Sequence, residues 1–281
     1  MVPLPDWRGR EGILRIHTRH LHLADVDLAR LARAAIGLSG ADLANLCNEA
    51  ALSAARHDRS EVTTEDFDDA WDKIVLGGKR GTVLTARDRR VSAYHEGGHA
   101  VVAWLTPAAD PVQRVTIVPH GLALGMTRQL PAEERYSLSR TDLLARLDVM
   151  LAGRESEAMA IGDITTGAEH DLLEATQLAR RMVTRWGMGT LGPVAFHADD
   201  EQPFLGYQLA EGRDYSDATA SRIDQEVQHM LAERQQVVRG VLSGARPQLD
   251  ACAEALLEHE TITSDRLLEL LGPRPDAGEA R

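Results

Sequence analysis

Residues 91–105 are apolar and helix-patterned, yet they carry two histidines and a glutamate in Tyr94-His95-Glu96-Gly97-Gly98-His99-Ala100. Titratable side chains are costly to bury unless they are paired or metal-bound. A fold that encloses this helix must therefore supply partners for all three. At about 3.6 residues per turn, His95 and His99 share one face and can reach one ion. Glu96 projects about 100° away, where it can address a metal-held water without ligating the metal. This is the spacing of a hydrolytic zinc site. Gly97 and Gly98 cost about 1 kcal/mol each against Ala inside a helix. Their presence points to close approach or tight packing at that point.

With 281 residues the chain can form two domains and a substantial core. Aromatics make up 4% while Ala and Leu dominate, which favours helix. A formal net charge of −12 argues against a nucleic-acid surface and against adhesion to anionic lipid. The two cysteines, Cys47 and Cys252, lie far apart in apolar helical patterns and read as buried reduced thiols. The first residues do not have the form of a signal peptide, and no window of about 18 apolar residues suggests a membrane span.

The periodicities predict a mainly α chain, with α+β character from a small edge hairpin. Residues 1–76 read as a helical unit, with helices over 12–19, 27–35, 43–56 and from 63 to 76. The third of these follows a cap of the form Ser39-Gly40-Ala41-Asp42. Gly77 opens a Gly-rich and charged linker, residues 77–84. The second unit spans 85–271. Its histidine-bearing helix starts near Thr85 and Asp88 and ends at Pro107, and an alternating segment over 112–130 reads as a β-hairpin. Helices follow over 139–160 and 168–186, then a strand at 191–196, an ordered loop at 199–213, and helices over 216–242, 246–258 and 264–271. Residues 272–281 read as a flexible tail.

Two histidines do not complete a catalytic zinc site, which takes three protein ligands and keeps a fourth position open. Asp171, in Thr165-Thr166-Gly167-Ala168-Glu169-His170-Asp171, is the leading candidate because a Gly-containing turn can aim it inward. Glu157, His170 and His120 are rivals that spacing leaves open. An acid in the first turn of a helix is also common for macrodipole reasons alone.

Several strings coincide with one family. Ala93-Tyr94-His95-Glu96-Gly97-Gly98-His99-Ala100, Thr165-Thr166-Gly167-Ala168-Glu169-His170-Asp171-Leu172, Met182-Val183-Thr184-Arg185-Trp186-Gly187-Met188 and Leu191-Gly192-Pro193 resemble the FtsH-type AAA zinc metalloproteases. Gly97 stands where that family has Ala, and His170 where it has Asn. Upstream, Asp6-Trp7-Arg8-Gly9-Arg10-Glu11-Gly12-Ile13-Leu14 and residues 37–46 are similar to the helical lid of its ATPase module. The resemblance implies a lid in residues 1–76 and a peptidase in 85–271. It gives the third ligand role to Asp171 and leaves Glu157 at most a supporting one. It also implies that His17, Gly40 and Ala41 lie beside a nucleotide's adenine, provided a large ATPase domain is present. Otherwise His17 belongs to a helix face and Gly40-Ala41 to a helix cap. No Gly-x-x-x-x-Gly-Lys-Ser/Thr phosphate loop occurs in this sequence, so ATP and Mg2+ are expected only in a longer context.

The expected activity is zinc-dependent endoproteolysis of unfolded polypeptides. His95, His99 and Asp171 would hold one Zn2+ and Glu96 would act as general base. The hairpin over 112–130, with Gly121 and Gly125, would accept substrate as an added strand. The resemblance further implies a homo-hexamer, and a parent protein at the inner membrane with this part on the cytoplasmic side or its organelle equivalent. The segment itself would be soluble, with no nucleic-acid partner. The alternative is an assembly or adapter relative that has kept the fold and lost catalysis.

Overall fold

The computed structural model describes residues 3–77, 84–119, 124–131, 135, 137–196 and 215–275. Helices α1 (Trp7–Thr18), α2 (Leu28–Ala34), α3 (Gly40–Arg56) and α4 (Thr64–Leu76) come first. They pack around Leu14, Leu31, Leu43, Leu46 and Phe67, with a two-residue parallel pairing of β1 (Leu23–Ala24) and β2 (Val62–Thr63). Side-chain caps set the starts: Ser39 with Asp42 for α3, and Thr63 with Asp66 for α4, each closing a reciprocal box. Helix α1 begins five residues before the predicted Gly12, because Asp6 accepts from the amide of Gly9 and starts the helix there.

A second, larger core is built around α5 (Ala86–Leu105), which opens on a Thr85–Asp88 capping box and buries residues on every side. A helix apolar all round needs cover on all its faces. Cover comes from α6 (Arg140–Ala160), α8 (Asp217–Gly244), α9 (Arg246–His259) and β3 (Val112–Thr116). Helix α7 (Glu169–Thr184), entered through a 3-10 turn at Thr166–Ala168, packs on α6 and α8. Charge ties α6 to α8 across this core. Buried Asp148 takes two bonds from Arg234, at 2.7 and 2.6 Å, and Glu155 is held by Arg239 and Gln235. The apolar stripe of α8 (Ile223, Val227, Met230, Val238, Leu242) is thus used internally.

The predicted hairpin is present as β3 with β4 (Met126–Gln129), but it is part of a three-stranded sheet in the order β4-β3-β5, with β5 at Thr261–Thr263. The third strand is too short to show a period of its own, and Ile262 reaches β3 only through the turn that ends α9. The consequence concerns edges: both sides of β3 are paired, and among the described residues β4 and β5 are the outer strands, each with one unpaired side. The strand predicted at 191–196 does not form. Those residues turn back beside the end of α7, with Gly192 at φ 87°, the Val194 amide bonded to the Gly192 carbonyl, and Phe196 bonded to the Thr184 carbonyl at 2.7 Å. Residues 272–275, assigned to the tail, are tied to the end of α5 by Trp104 to the Gly272 carbonyl and by Arg274 to the Thr106 and Ala109 carbonyls. The predicted linker residues 78–83, the hairpin tip with His120 and Gly121, the loop at 199–213 and residues 276–281 lie outside the described residues.

No described helix is long and apolar enough to cross a membrane. Cys47 and Cys252 are free and buried, and burial pushes their thiols up to about 11 and about 12. The thiolate is the reactive form. A disulfide reagent such as dithionitrobenzoate at about pH 8 is therefore expected to label neither thiol in the native chain and both after denaturation. Rapid native labelling of Cys252 would show that the α5–α9 packing opens readily.

Candidate metal centre

Helix α5 brings His95 and His99 to one face, and the neighbouring helix α6 finishes the job of aiming them. The Nδ1 atom of His95 lies 2.7 Å from Glu157 Oε1, and that of His99 lies 2.6 Å from the Val149 carbonyl. Both partners are acceptors, so each Nδ1 donates to its partner, which leaves the inward-turned Nε2 of each ring as the atom able to ligate. The two Nε2 atoms are 3.1 Å apart, and Asp171 Oδ2 lies 3.1 Å from one and 3.2 Å from the other. Donors about 2.0–2.1 Å from a tetrahedral ion sit about 3.3 Å from each other. Two ring nitrogens and a carboxylate converging this closely are well placed around a cation. The donor set thus fits a zinc-sized ion.

Burial pulls the His95 imidazole down, but the Asp171 and Glu157 carboxylates outweigh it and push it up to about 10. Burial raises Asp171, yet its bonds to His95 and His99 hold the carboxyl well below the ordinary range. Proton and metal compete for the same lone pairs.

The sequence-predicted residues His95, His99 and Asp171 are brought together, and among the described residues they form one cluster able to hold a metal. Of the rivals, Glu157 bonds His95 from behind, and with its other oxygen it accepts from the Thr165 amide at 2.8 Å. One buried carboxylate therefore links a histidine to the turn that delivers Asp171. His170 lines the cleft outside the cluster, and His120 lies outside the described residues. Glu157→Gln is expected to weaken divalent-metal affinity about 10- to 100-fold, read by competition with a chelator. An unchanged affinity would mean that packing alone orients His95.

Glu96 is buried against the site, with Oε2 accepting from the Thr127 hydroxyl at 2.8 Å. Burial pushes its carboxyl above the ordinary range, against the pull of His99 and His95 and the Thr127 bond. A raised carboxyl beside a metal site is suited to shuttling protons near neutral pH. A cleft of about 1060 Å³ opens over these groups, lined by Val91, Leu124, Met126, Met150 and Leu173 among others. Such a volume is at the upper limit of ordinary small-molecule sites.

Three participants escaped the sequence reading: Thr127, the Val149 carbonyl and Gly153. A Cβ on Gly153 would sit 2.5 Å from both His95 Cε1 and His99 Nε2. Val149, Gly153 and Glu157 are spaced four apart and make one stripe on α6, a pattern visible in the sequence once α6 is known to face the histidines. Gly98 serves the same contact, since a Cβ there would meet Ser156 Cβ at 2.6 Å and the Ala152 carbonyl at 2.7 Å. The approach suspected at Gly97-Gly98 is thus helix packing. Gly125, expected to admit a substrate backbone, instead admits the Glu96 side chain, with Oε1 2.7 Å from where a Cβ would lie. His17 is exposed on α1 and Gly40-Ala41 form the first turn of α3, with no partner among the described residues that identifies a ligand.

Residues 82–270 match the sequence pattern of Peptidase family M41, and residues 25–69 match that of the AAA+ lid domain. The chain is 52% identical over 264 residues to an ATP-dependent zinc metalloprotease FtsH of Nitrosococcus oceani, covering 93% of this chain and 41% of that protein. It is 50% identical to ATP-dependent zinc metalloprotease FtsH 4 of Sphaerobacter thermophilus, covering 99% and 43%. Against an ATP-dependent zinc metalloprotease FtsH of Caulobacter vibrioides, identity is 44%, with 99% and 45% covered. The chain spans about two fifths of the length of these curated relatives.

Proposed function

Since the chain belongs to peptidase family M41, we propose that it is a zinc-dependent endopeptidase acting on extended, unfolded polypeptide. The observation that carries this reading is the triangle of His95, His99 and Asp171 donors beside a buried, Thr127-held Glu96. When bound, zinc supplies Lewis acidity that polarises the scissile carbonyl and makes water a competent nucleophile near neutral pH. His95, His99 and Asp171 hold the ion, and Glu157 and the Val149 carbonyl keep both rings in the ligating tautomer. Glu96 takes a proton from the attacking water and returns it to the leaving amine. The open edge of β4, at the rim of the cleft, offers main-chain bonding to a substrate strand, a mode that tolerates many side chains.

In this reading residues 1–76 are the lid and 85–271 the peptidase, and ATP enters only through an ATPase domain that His17, Gly40 and Ala41 would adjoin. Assembly as a homo-hexamer and attachment of a longer parent protein to a membrane, with this part on the cytoplasmic side or its organelle equivalent, belong to the same proposal. The relatives are named ATP-dependent, which is why threading by an ATPase is the expected source of substrate selection.

The test is zinc content with casein cleavage, on the parent chain and on Asp171→Asn, without ATP. About one zinc per chain and cleavage in the parent, with both sharply reduced in the variant, is the expected result. Full zinc and full cleavage in Asp171→Asn would move the third ligand elsewhere. A parent that binds zinc and cleaves nothing would favour an assembly role or a site that works only under the ATPase.

A further inference from the structure

Arg114 on β3 and Arg128 on β4 sit directly opposite one another in the register of the sheet. Like charges in a cross-strand pair repel, and these two side chains are only 13% and 11% exposed. Such a pair persists only with anions over it. The anions come from α4. Arg114 reaches Asp69 at 3.3 Å and Asp72 at 3.7 Å, while Arg128 reaches Asp72 at 3.4 Å and pairs with Asp68. The Arg128 guanidinium also lies over the Trp71 ring, 5.8 Å from its centroid. Asp68, Asp69 and Asp72 fall on one face of α4, and Asp72, almost wholly buried, gives one oxygen to each arginine.

Among the described residues the hydrophobic side chains form two separate clusters, and this charged contact runs between them. It is incompletely satisfied: the Nε–H of both arginines is buried with no acceptor among the described residues. Unmade bonds of this kind cost free energy, so the contact is easier to part than a core. Strand alternation then links it to the chemistry. Residues adjacent in β4 point to opposite faces, so while Arg128 faces α4, Thr127 faces α5 and holds the Glu96 carboxylate.

We propose that Arg114 and Arg128 are positioning residues that seat β4 on α4, and that the seated strand presents Thr127 to Glu96. The contact of residues 3–77 with the hairpin thereby sets how firmly the base is held. This rests on the hydrolase reading above for its effect on turnover, while the seating itself stands on the contacts alone. Movement of the lid-like helices would pass to the active site through a strand four residues long.

The experiment uses the full, zinc-loaded chain. Asp68→Arg puts a cation beside Arg128 and is expected to speed amide exchange in β4 about tenfold and to lower kcat about tenfold, with KM within about twofold. The exchanged pair Asp68→Arg with Arg128→Asp is expected to bring both back towards the parent, which guards against a variant that merely misfolds. Thr127→Val is expected to lower kcat to a similar extent and Thr127→Ser to restore it. Parent-like exchange in β4 and parent-like kcat in Asp68→Arg would overturn the proposal, as would an exchanged pair no better than the single variant. A parent that cleaves nothing would sink the hydrolase reading, and the exchange measurement would still decide the seating.

Discussion

Glu96→Gln is expected to lower casein cleavage by about 10²- to 10⁴-fold while leaving zinc content at the parent level. Glutamine has the shape of the glutamate and can keep the bond from Thr127, which lies 2.8 Å from Oε2. What it cannot do is accept a proton. Glu96 supplies none of the three converging donor atoms, so the ion should stay. Replacing the buried carboxyl by a neutral amide also removes a group that burial disfavours in its charged form, so the melting temperature should hold or rise. The decisive comparison is kcat against zinc content on the same preparation. Turnover within about threefold of the parent would transfer the proton role away from Glu96, and loss of zinc would show that it helps to hold the ion.

Gly153→Ala is expected to abolish zinc binding and cleavage together, although it adds one methyl group and leaves every ligand in place. On helix propensity alone the change should stabilise α6 by about 1 kcal/mol. The new Cβ, however, would lie 2.5 Å from His95 Cε1 and His99 Nε2, well inside contact distance for atoms packed between two helices. Either the rings swing away from Asp171 or α5 and α6 part. Parting is opposed by the Ser156 hydroxyl, which bonds the Tyr94 carbonyl, and by Gly98 seated on Ala152 and Ser156. Overpacking of this kind costs about 1–3 kcal/mol in a close-packed core. The measurements are zinc stoichiometry and thermal melting. Parent-like zinc binding in Gly153→Ala would mean that the α5–α6 spacing is softer than its contacts indicate.

The helices were legible wherever a cap and a period agreed. Ser39 with Asp42, Thr63 with Asp66, Thr85 with Asp88 and Ser139 with Asp142 each close a box in the structure, and each stands in the sequence as a polar pair three apart. Where one signal was missing the reading drifted. Helix α1 starts on a lone aspartate, β5 is three residues long, and residues 191–196 have strand-like composition but no partner strand among the described residues. A strand needs a neighbour, and composition does not reveal one.

The site divides in the same way. His95, Glu96 and His99 could be read as a unit because one helix carries them, and helical geometry relates positions four apart regardless of what surrounds them. Asp171 could be suspected from its turn and assigned from resemblance, but Glu157, His170 and His120 were equally admissible by spacing. The tertiary structure brought Asp171 to 3.1 and 3.2 Å from the two rings and turned Glu157 to the back of His95. It also supplied Thr127 from a strand 31 residues away and a gap at Gly153 that no property of glycine announces. By itself the sequence determined the mainly helical class, the reduced buried cysteines and the metal-reaching helix, because each follows from local period, capping and burial preference. Only the fold decided which groups complete that helix, since contacts between elements far apart in sequence depend on how whole faces pack. The same holds for two arginines opposed across a sheet, whose meaning appears only with the acidic face of α4 laid over them.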